Sequence, residues 1–229
     1  MLEVRDLRVS YGQSEVIHGI DFSTAADETL AIMGRNGMGK TTLFKSLIGI
    51  LPASSGSIVL DGRELNELPS HERVAAGLAY VPQGRMIFPS LTVMENIESG
   101  LETVKTKKVP DEIFELFPVL RDMRGRKGGN LSGGQQQQLA IARALVSEPK
   151  VLLLDEPTEG IQPSIIKDIA HTLNEIRRLK KISIVVSEQV LSFTMSIADR
   201  LVVIEKGKFI HEEEGKSANQ EKIASYLSV

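Results

Sequence analysis

The chain has 229 residues, a formal charge of −3 and a hydrophobic content of 41%. This length suits one large domain or one domain with an inserted subdomain, and the small net charge gives no general attraction to nucleic acid or anionic lipid. The absence of cysteine excludes disulfides and thiol chemistry, no apolar run approaches the ~18 residues that span a membrane, and we recognise no signal peptide. We therefore expect a soluble protein that acts at a membrane only through partners.

The beginning of the chain predicts an antiparallel strand pair followed by a strand, a loop and a helix. Residues 2–10 and 15–22 alternate between apolar and polar side chains, and the short turn between them indicates an antiparallel pair. An apolar strand at residues 29–33 leads into a glycine-rich loop, and a helix over residues 42–48 follows it.

The glycine-rich loop, residues 34–41, fits the pattern G-x-x-x-x-G-K-[ST] of a phosphate-binding loop. Gly34, Gly37 and Gly39 let the backbone turn where a side chain would clash, so that successive N–H groups face one anion. The positive end of the following helix points at the same anion. Lys40 can reach the terminal phosphates of a nucleotide, and Thr41 offers a hydroxyl to Mg²⁺. The flanking strand and helix disfavour the alternative of an ordinary glycine-rich turn.

The middle of the chain changes from strands to helices. Residues 57–60 and 77–81 predict strands, the second of which ends at Pro82. From residue 92 to about residue 126 the pattern is helical, and residues 111–117 are amphipathic. We interpret this segment as a helical insertion into an α/β core.

The second half of the chain alternates between helices and strands. The predicted elements are a helix from the Ser132 turn to residue 146, strands at residues 151–154, 182–186 and 200–205, and helices at residues 163–180 and 219–227. Such alternation implies a mostly parallel sheet. The predicted fold class is therefore α/β, with a mostly parallel sheet, an N-terminal antiparallel β subdomain and an inserted α-helical subdomain.

Two carboxylates follow the apolar strand at residues 151–154. Asp155 stands where a strand-end carboxylate holds Mg²⁺ beside a phosphate-binding loop, and Glu156 is placed to orient or deprotonate an attacking water molecule. The alternative is that both acids only cap the next loop. The phosphate-binding loop in the same chain favours the catalytic interpretation.

A second candidate anion site begins at Ser132, at the start of a predicted helix. The residues of this turn are Leu131, Ser132, Gly133, Gly134 and Gln135. Two copies arranged head to tail would pair the phosphate-binding loop of one copy with the Ser132 turn of the other. That arrangement gives two composite sites across a two-fold or pseudo-two-fold interface.

Residues 34–42, Gln83, residues 131–135 and the pair Asp155 and Glu156 stand in the order and spacing of the ATP-binding cassette (ABC) ATPases, and the whole chain resembles this family. The resemblance implies a P-loop NTPase core, ATP and Mg²⁺ as ligands, and catalysis by Glu156. It also implies that Tyr11 stacks on adenine. The implied ATP-binding residues are Tyr11, Gly34, Arg35, Asn36, Gly37, Gly39, Lys40, Thr41 and Thr42. The implied metal-binding residues are Thr41, Gln83 and Asp155, and those acting on a partner's site are Leu131, Ser132, Gly133, Gly134 and Gln135.

We expect a single ABC ATPase domain over residues 1–229. Residues 1–88 and 147–229 would form its nucleotide-binding core, and residues 89–146 would form the helical subdomain that carries the Ser132 turn.

Further segments narrow the resemblance. Residues 80–97 resemble the ATPase subunits of branched-chain amino acid, amide and urea importers, while residues 115–120, 128–138 and 155–166 look most like the second ATPase subunit of urea importers. In that group two different ATPase subunits pair beneath two membrane permease subunits and a periplasmic solute-binding protein. We therefore expect a peripheral subunit at the cytoplasmic face of the inner membrane, in a heterodimer or a homodimer, that drives uptake of urea or short-chain amides.

Two other functions stay open at this point. The same machine could import branched-chain amino acids, or the chain could be a soluble ABC ATPase of DNA repair or translation. Soluble ABC ATPases of DNA repair or translation usually carry two cassettes in tandem or a long coiled-coil insertion. The short stretch between Pro89 and Leu131 speaks against this class. Basic clusters at residues 105–108 and 121–127 predict solvated faces and no nucleic-acid partner.

Two positions depart from the pattern of the wider family. Gln162 stands where an aspartate is usual, and Gln189 stands where a histidine is usual. Both departures are shared with the narrower group of importers. We predict that Gln189 takes the place of that histidine as a catalytic residue beside Glu156.

Overall fold

The computed structural model describes residues 1–105 and 108–227, so part of the basic cluster at residues 105–108 lies outside the described residues. The strands are β1 (Leu2–Tyr11), β2 (Ser14–Thr24), β3 (Thr29–Met33), β4 (Ser55–Leu60), β5 (Arg63–Glu64), β6 (Leu78–Val81), β7 (Val151–Asp155), β8 (Ser183–Glu188), β9 (Arg200–Glu205) and β10 (Lys208–Glu214). The α-helices are α1 (Lys40–Leu47), α2 (Ser70–Ala76), α3 (Val93–Glu98), α4 (Asp111–Leu116), α5 (Pro118–Asp122), α6 (Gly133–Leu145), α7 (Pro163–Lys180), α8 (Leu191–Ile197) and α9 (Gln220–Leu227). Short 3₁₀ helices cover Ser99–Thr103, Gly128–Asn130 and Gly215–Ser217.

The described strands form two sheets. The antiparallel sheet has the order β2-β1-β4-β5, and a tight turn between Tyr11 and Ser14 joins its first two strands. The larger sheet has the order β10-β9-β3-β8-β7-β6 and is parallel except at β10, which pairs antiparallel with β9. The prediction of an α/β fold with an antiparallel β subdomain and a mostly parallel sheet is confirmed.

Both faces of the larger sheet are buried, which explains why its central strands are continuous apolar runs. On β3, Leu30 and Ile32 pack with α1 and the antiparallel sheet, whereas Ala31 and Met33 pack with helices of the segment 93–145 and with α7. Alternate residues of a strand point to opposite faces, so one strand serves two hydrophobic clusters. The helical segment therefore covers one face, and the antiparallel sheet covers the other.

The carboxyl ends of three adjacent parallel strands meet at one edge of this sheet. The register places Met33 of β3 beside Glu188 of β8, and Asp155 of β7 beside Ser187 of β8. The phosphate-binding loop leaves β3 at this edge, and the catalytic candidates follow β7 and β8 there. Such an edge is where ligands usually bind in open α/β sheets.

The structure differs from the predicted elements in three respects. The helical segment after residue 92 is broken, because Pro110 and Pro118 stand at the starts of α4 and α5. Strand β8 continues two residues beyond its predicted end, to Glu188. The sequence pattern also did not predict α2, α8 and β10. The two helices are 7 residues long, and β10 ends in three glutamates, a residue type that strands disfavour.

Candidate active site

The phosphate-binding loop has the backbone shape that its glycines predict. A Cβ atom at Gly34 would lie 2.6 Å from the backbone oxygen of Ile204, and Gly37 and Gly39 have φ angles of +80° and +106°. Helix α1 begins at Lys40, and within the described residues no side chain caps its first turn. The N–H groups at this helix end are therefore open to an anion.

Lys40 lies buried over the loop. Its Nζ donates to the backbone oxygens of Gly34 and Arg35 at 2.6 and 2.9 Å, and it lies 3.0 Å from Oε1 of Glu156. A buried ammonium requires such compensation. Arg35 contributes its carbonyl group here, while its own side chain is exposed. The loop thus holds one positive charge beside the open end of α1.

A cavity of about 320 Å³ joins the loop to three other segments of the chain. Its lining contains Val16, Asn36, Gly37, Gly39, Lys40, Thr41, Thr42, Gln83 and Glu156. The sequence did not predict that Val16 lines the cavity, because an apolar residue in a strand gives no signal of such a position. Tyr11 lies outside the described lining and is half-exposed at the end of β1, so its stacking on adenine stays a prediction.

Asp155 is buried and enclosed by hydrogen bonds. Its Oδ1 accepts from Oγ of Ser187 at 2.6 Å, and its Oδ2 accepts from the hydroxyl of Tyr80 at 3.3 Å. Burial raises the pKa of Asp155, and the hydrogen bonds from Ser187, Thr41 and Tyr80 oppose that rise. Burial also raises the pKa of Tyr80, and the adjacent carboxylate adds to the rise. Sequence patterns did not predict that Tyr80 and Ser187 contact Asp155. The only sign of such a contact in the sequence is a polar group within an apolar strand.

Glu156 and Gln189 are in contact. Nε2 of Gln189 lies 3.2 and 3.3 Å from the two carboxylate oxygens of Glu156, and 2.8 Å from Oδ1 of Asn36. Nε2 of Gln83 is 3.5 Å from Oε2 of Glu156. Glu156 is 8% exposed and has a φ of +46°, a strained conformation for a residue with a side chain. The structure brings the two predicted catalytic residues, Glu156 and Gln189, together. The contact of Gln189 with Asn36 also links this pair to the phosphate-binding loop.

The turn at Ser132 is completed by its own helix. Oγ of Ser132 accepts from the backbone N of Gln135 at 3.4 Å, and Oε1 of Gln135 accepts from the backbone N of Ser132 at 3.0 Å. Leu131 is buried, and a Cβ atom at Gly134 would lie 2.5 Å from Cγ2 of Ile165 in α7. Ser132 itself is exposed, and residues 131–135 lie outside the described lining of the cavity in the same chain. The structure therefore does not bring this turn to its own phosphate-binding loop.

The predicted metal ligands lie together at the sheet edge. The side chain of Thr41 lies near enough to Asp155 to lower the pKa of that carboxyl, and Thr41 and Gln83 both line the cavity. Within residues 1–105 and 108–227, no three His, Asp or Glu side chains gather into a metal site of their own. A hydroxyl, an amide and one carboxylate suit Mg²⁺, because phosphate and water oxygens complete its shell. These residues fit Mg²⁺ bound together with a nucleotide.

The family model described as ABC transporter matches residues 17–159, a stretch that includes the phosphate-binding loop, Gln83, the Ser132 turn and Glu156. The chain belongs to the ABC transporter family. This confirms the family resemblance drawn from the sequence motifs. As an ABC ATPase, the chain couples the hydrolysis of ATP to transport.

Two relatives resemble this ABC ATPase over most of its length. The high-affinity branched-chain amino acid transport ATP-binding protein BraG of Pseudomonas aeruginosa is 37% identical over 218 residues, which cover 94% of this chain and 93% of BraG. The probable branched-chain amino acid transport ATP-binding protein LivF of Archaeoglobus fulgidus is 36% identical over 211 residues, which cover 91% of this chain and 89% of LivF. Both similarities are consistent with the narrower resemblance to the branched-chain importer group.

A solved structure shares the fold of this ABC ATPase. The ADP conformation of MJ1267, an ATP-binding cassette of an ABC transporter, aligns with a TM-score of 0.83 and 27% identity. The alignment covers 99% of this chain and 94% of MJ1267, so the arrangement of both sheets and the helical segment belongs to the cassette fold. Among the helices in the described part of the chain, none is both long and apolar enough to cross a bilayer.

Proposed function

We propose that this ABC ATPase drives the uptake of branched-chain amino acids. BraG and LivF are both named for that transport. Their similarity to the chain supports the alternative expectation given above, and it gives less support to urea or short-chain amides, which the sequence motifs first suggested. In this proposal the ATPase subunit does not contact the transported solute. The identity of the solute is therefore inferred from these relatives alone.

The contact of Glu156 with Lys40 and Gln189 carries the proposed mechanism. The phosphates of ATP lie over the open end of α1, where the loop N–H groups and Lys40 face them. Glu156 orients a water molecule and accepts its proton while the water oxygen attacks the γ-phosphorus and ADP leaves. Gln189 donates its amide N–H groups to Glu156 and Asn36, so it holds the carboxylate beside the loop.

The other predicted site residues take the remaining roles in this proposal. Thr41, Gln83 and Asp155 would hold Mg²⁺, which neutralises phosphate charge when bound. The residues that contact the nucleotide would be Tyr11, Gly34, Arg35, Asn36, Gly37, Gly39, Lys40, Thr41 and Thr42.

A second ATPase subunit would complete each site. The exposed Ser132 and the position of residues 131–135 outside their own cavity support this part of the proposal. The turn would face the terminal phosphate bound to the partner, and the partner's turn would face the ATP of this chain. The partner is a different ATPase subunit in a heterodimer or a second copy in a homodimer.

A groove beside Gln83 would receive a cytoplasmic segment of a permease subunit. This groove, with a volume of about 410 Å³, lies between the core and the proposed helical subdomain, residues 89–146. Met86 and Phe88 line it and are exposed, although large apolar side chains are usually buried. Met86 lies three residues after Gln83, so a permease bound here would act directly on the segment that contacts Glu156. The ATPase would thus sit at the cytoplasmic face of the inner membrane, and a periplasmic solute-binding protein would act on it through the permeases.

Reconstitution tests the proposed solute. The chain is placed in proteoliposomes with the permease subunits encoded beside its gene, their second ATPase subunit and their solute-binding protein. ATP hydrolysis and solute uptake are then measured with leucine, isoleucine, valine, urea and acetamide. We expect leucine, isoleucine or valine to stimulate hydrolysis and to accumulate, and we expect Glu156→Gln to abolish both.

Two other outcomes would contradict the proposal in different ways. Stimulation by urea or acetamide but not by the amino acids would favour the first expectation from the sequence. Hydrolysis that responds to no solute, together with no uptake, would contradict a role as an importer subunit.

A further inference from the structure

Glu188, the last residue of β8, joins two loops of the active site. Its side chain is 2% exposed. Oε1 accepts from the backbone N and from Oγ1 of Thr158, at 3.0 and 2.6 Å. Oε2 accepts from the backbone N atoms of Gln189 and Val190, at 2.8 and 3.1 Å. One oxygen thus binds the segment after Glu156, and the other binds the segment that carries Gln189.

The preceding residue of β8 binds the other side of Glu156. The backbone N of Glu156 donates to the backbone oxygen and to Oγ of Ser187, at 3.0 and 3.2 Å. Ser187 therefore fixes the backbone on the N-terminal side of Glu156, and the hydrogen bonds between Thr158 and Glu188 fix the chain on its C-terminal side. Because Glu156 has a positive φ of +46°, neighbouring contacts must maintain its conformation.

A buried carboxylate with four hydrogen bonds can be explained as a stable element of the core alone. The placement of those four bonds favours a further role. All four donors lie within two residues of Glu156 or Gln189, and the side chains of these two residues touch at 3.2 Å. A shift of either loop would open that contact, because a hydrogen bond requires a short distance and a favourable angle between donor and acceptor.

We propose that Glu188 is a positioning residue for ATP hydrolysis, which keeps Gln189 in contact with Glu156 by binding both loops at once. This inference rests on the catalytic roles proposed above for Glu156 and Gln189. Glu188 lies outside the described lining of the phosphate cavity, so its loss should lower kcat and leave ATP binding nearly unchanged.

Thr158 gives a milder test than Glu188, whose replacement can prevent folding. Thr158→Val replaces the hydroxyl that donates at 2.6 Å with a methyl group, and Thr158→Ser keeps that hydroxyl. Ser183→Ala is the matched control, because it removes a buried hydroxyl at the other end of β8 that donates to the backbone of Ala25, also at 2.6 Å. For each purified variant, kcat, KM for ATP and the midpoint of thermal unfolding are measured.

We expect Thr158→Val to lower kcat about tenfold with KM changed by less than about twofold, as for a lost hydrogen bond to a charged group. Thr158→Ser should recover most of kcat. Ser183→Ala should lose thermal stability to a similar extent but keep kcat. A wild-type kcat in Thr158→Val would overturn the inference, as would an equal loss of kcat in Ser183→Ala.

A double substitution tests whether the effect passes through Gln189. Gln189→Ala keeps the backbone N–H that Glu188 binds and removes the side chain that contacts Glu156. We expect Thr158→Val to have no further effect on kcat in the Gln189→Ala background, because there is no longer a contact to misplace. Independent, multiplying losses would overturn the inference.

The kcat of Gln189→Ala distinguishes a failure of the proposed role of Gln189 from a failure of the positioning role of Glu188. If Gln189→Ala has the kcat of the wild type, the proposed role of Gln189 is wrong and the inference fails with it. If Gln189→Ala is impaired and Thr158→Val is not, the role of Gln189 stands and only the positioning role of Glu188 fails.

Discussion

Lys40 and Glu156 form a buried ion pair, with Nζ 3.0 Å from Oε1. The same ammonium is proposed to bind the phosphates of ATP, and the same carboxylate is proposed to accept a proton from water. The phosphates would therefore compete with Glu156 for Lys40. Removing one member of a buried pair leaves the other uncompensated, which typically costs ~3–5 kcal/mol, so substitutions here should change stability as well as catalysis.

Replacing Lys40 with alanine should abolish ATP turnover, because the loop loses the charge that meets the β- and γ-phosphates. The free energy of unfolding should fall by about 3 kcal/mol, since Glu156 stays buried without its partner. Lys45→Ala, in the last turn of the same helix, is the control and should keep normal turnover. Phosphate release and denaturant unfolding measure the two effects. Equal turnover in Lys40→Ala and the wild type would show that the phosphate-binding loop is wrongly assigned.

Glu156→Gln keeps the shape of the side chain and removes its basicity. We expect ATP binding to persist, hydrolysis to fall about 10²-fold or more, and a dimer stabilised by ATP to appear in size-exclusion chromatography. The exposed Glu159 lies on the same loop, and Glu159→Gln should hydrolyse ATP normally. Normal hydrolysis by Glu156→Gln would mean that another group activates the water.

Ser132→Arg should block hydrolysis without preventing ATP binding by the monomer, because the large cation would obstruct only the partner's site. Mixing this variant with Lys40→Ala gives a sharper test. Each variant alone is inactive, but a mixed dimer contains one site with an intact Lys40 from one chain and an intact Ser132 from the other. Hydrolysis should therefore reappear in the mixture. A Ser132→Arg monomer that no longer binds ATP would contradict the two-chain site, as would a mixture that stays inactive when the wild-type chain alone forms an active homodimer.

Gln189→His tests the contact between residue 189 and Glu156. A histidine can carry charge and donate a stronger hydrogen bond, whereas glutamine donates only as a neutral amide. The variant should hydrolyse ATP faster and should gain a pH dependence near the histidine pKa of about 6.5, which the wild type lacks. Gln220→His, on the exposed surface of α9, controls for an added imidazole. An unchanged rate and pH profile would show that residue 189 does not act on the reaction.

Glu213 should make the attachment of α9 dependent on pH. Its Oε2 accepts from the backbone N of Asn219 at 2.7 Å, and its Oε1 lies 2.5 Å from Nε2 of His211. The hydrogen bond from Asn219, followed by that from His211, lowers the pKa of Glu213 below its ordinary value. A lowered pKa in the folded state gives stability that is present above the ordinary glutamate pKa of about 4.3 and is lost as pH falls through the lowered value.

Glu213→Gln should therefore speed amide hydrogen exchange in α9 at neutral pH, and the difference from the wild type should disappear in acid. Glu214→Gln, on the exposed side of the same strand, should exchange like the wild type. Equal exchange rates for Glu213→Gln and the wild type at neutral pH would show that this carboxylate does not hold the helix.

The parts of the site that could be predicted are those that one stretch of chain supplies by itself. Lys40 and Glu156 each belong to a local pattern in which residue type and spacing follow from the chemistry of a phosphate. Ser187 and Tyr80 contact Asp155 only because β8 and β6 lie on either side of β7. The order of residues does not give that strand register, so neither contact could be read from the sequence.

The same distinction holds for the fold. Strands β3 and β7 were predicted closely because strands buried on both faces are continuous apolar runs. Strand β10 was missed because only one of its edges pairs within the larger sheet and four of its seven residues are exposed. Its stability comes from β9, which lies beside it, rather than from the propensity of its own residues.

Strand β10 also affects how the protein should be handled. It ends the larger sheet, and Glu212 and Glu214 are exposed on it. The end of a sheet can pair with a strand of another molecule, and charged side chains discourage that aggregation. In mild acid the net charge of −3 at pH 7 moves toward zero. Purification and crystallisation trials should therefore stay on the alkaline side of neutrality, where the net charge keeps the molecules apart.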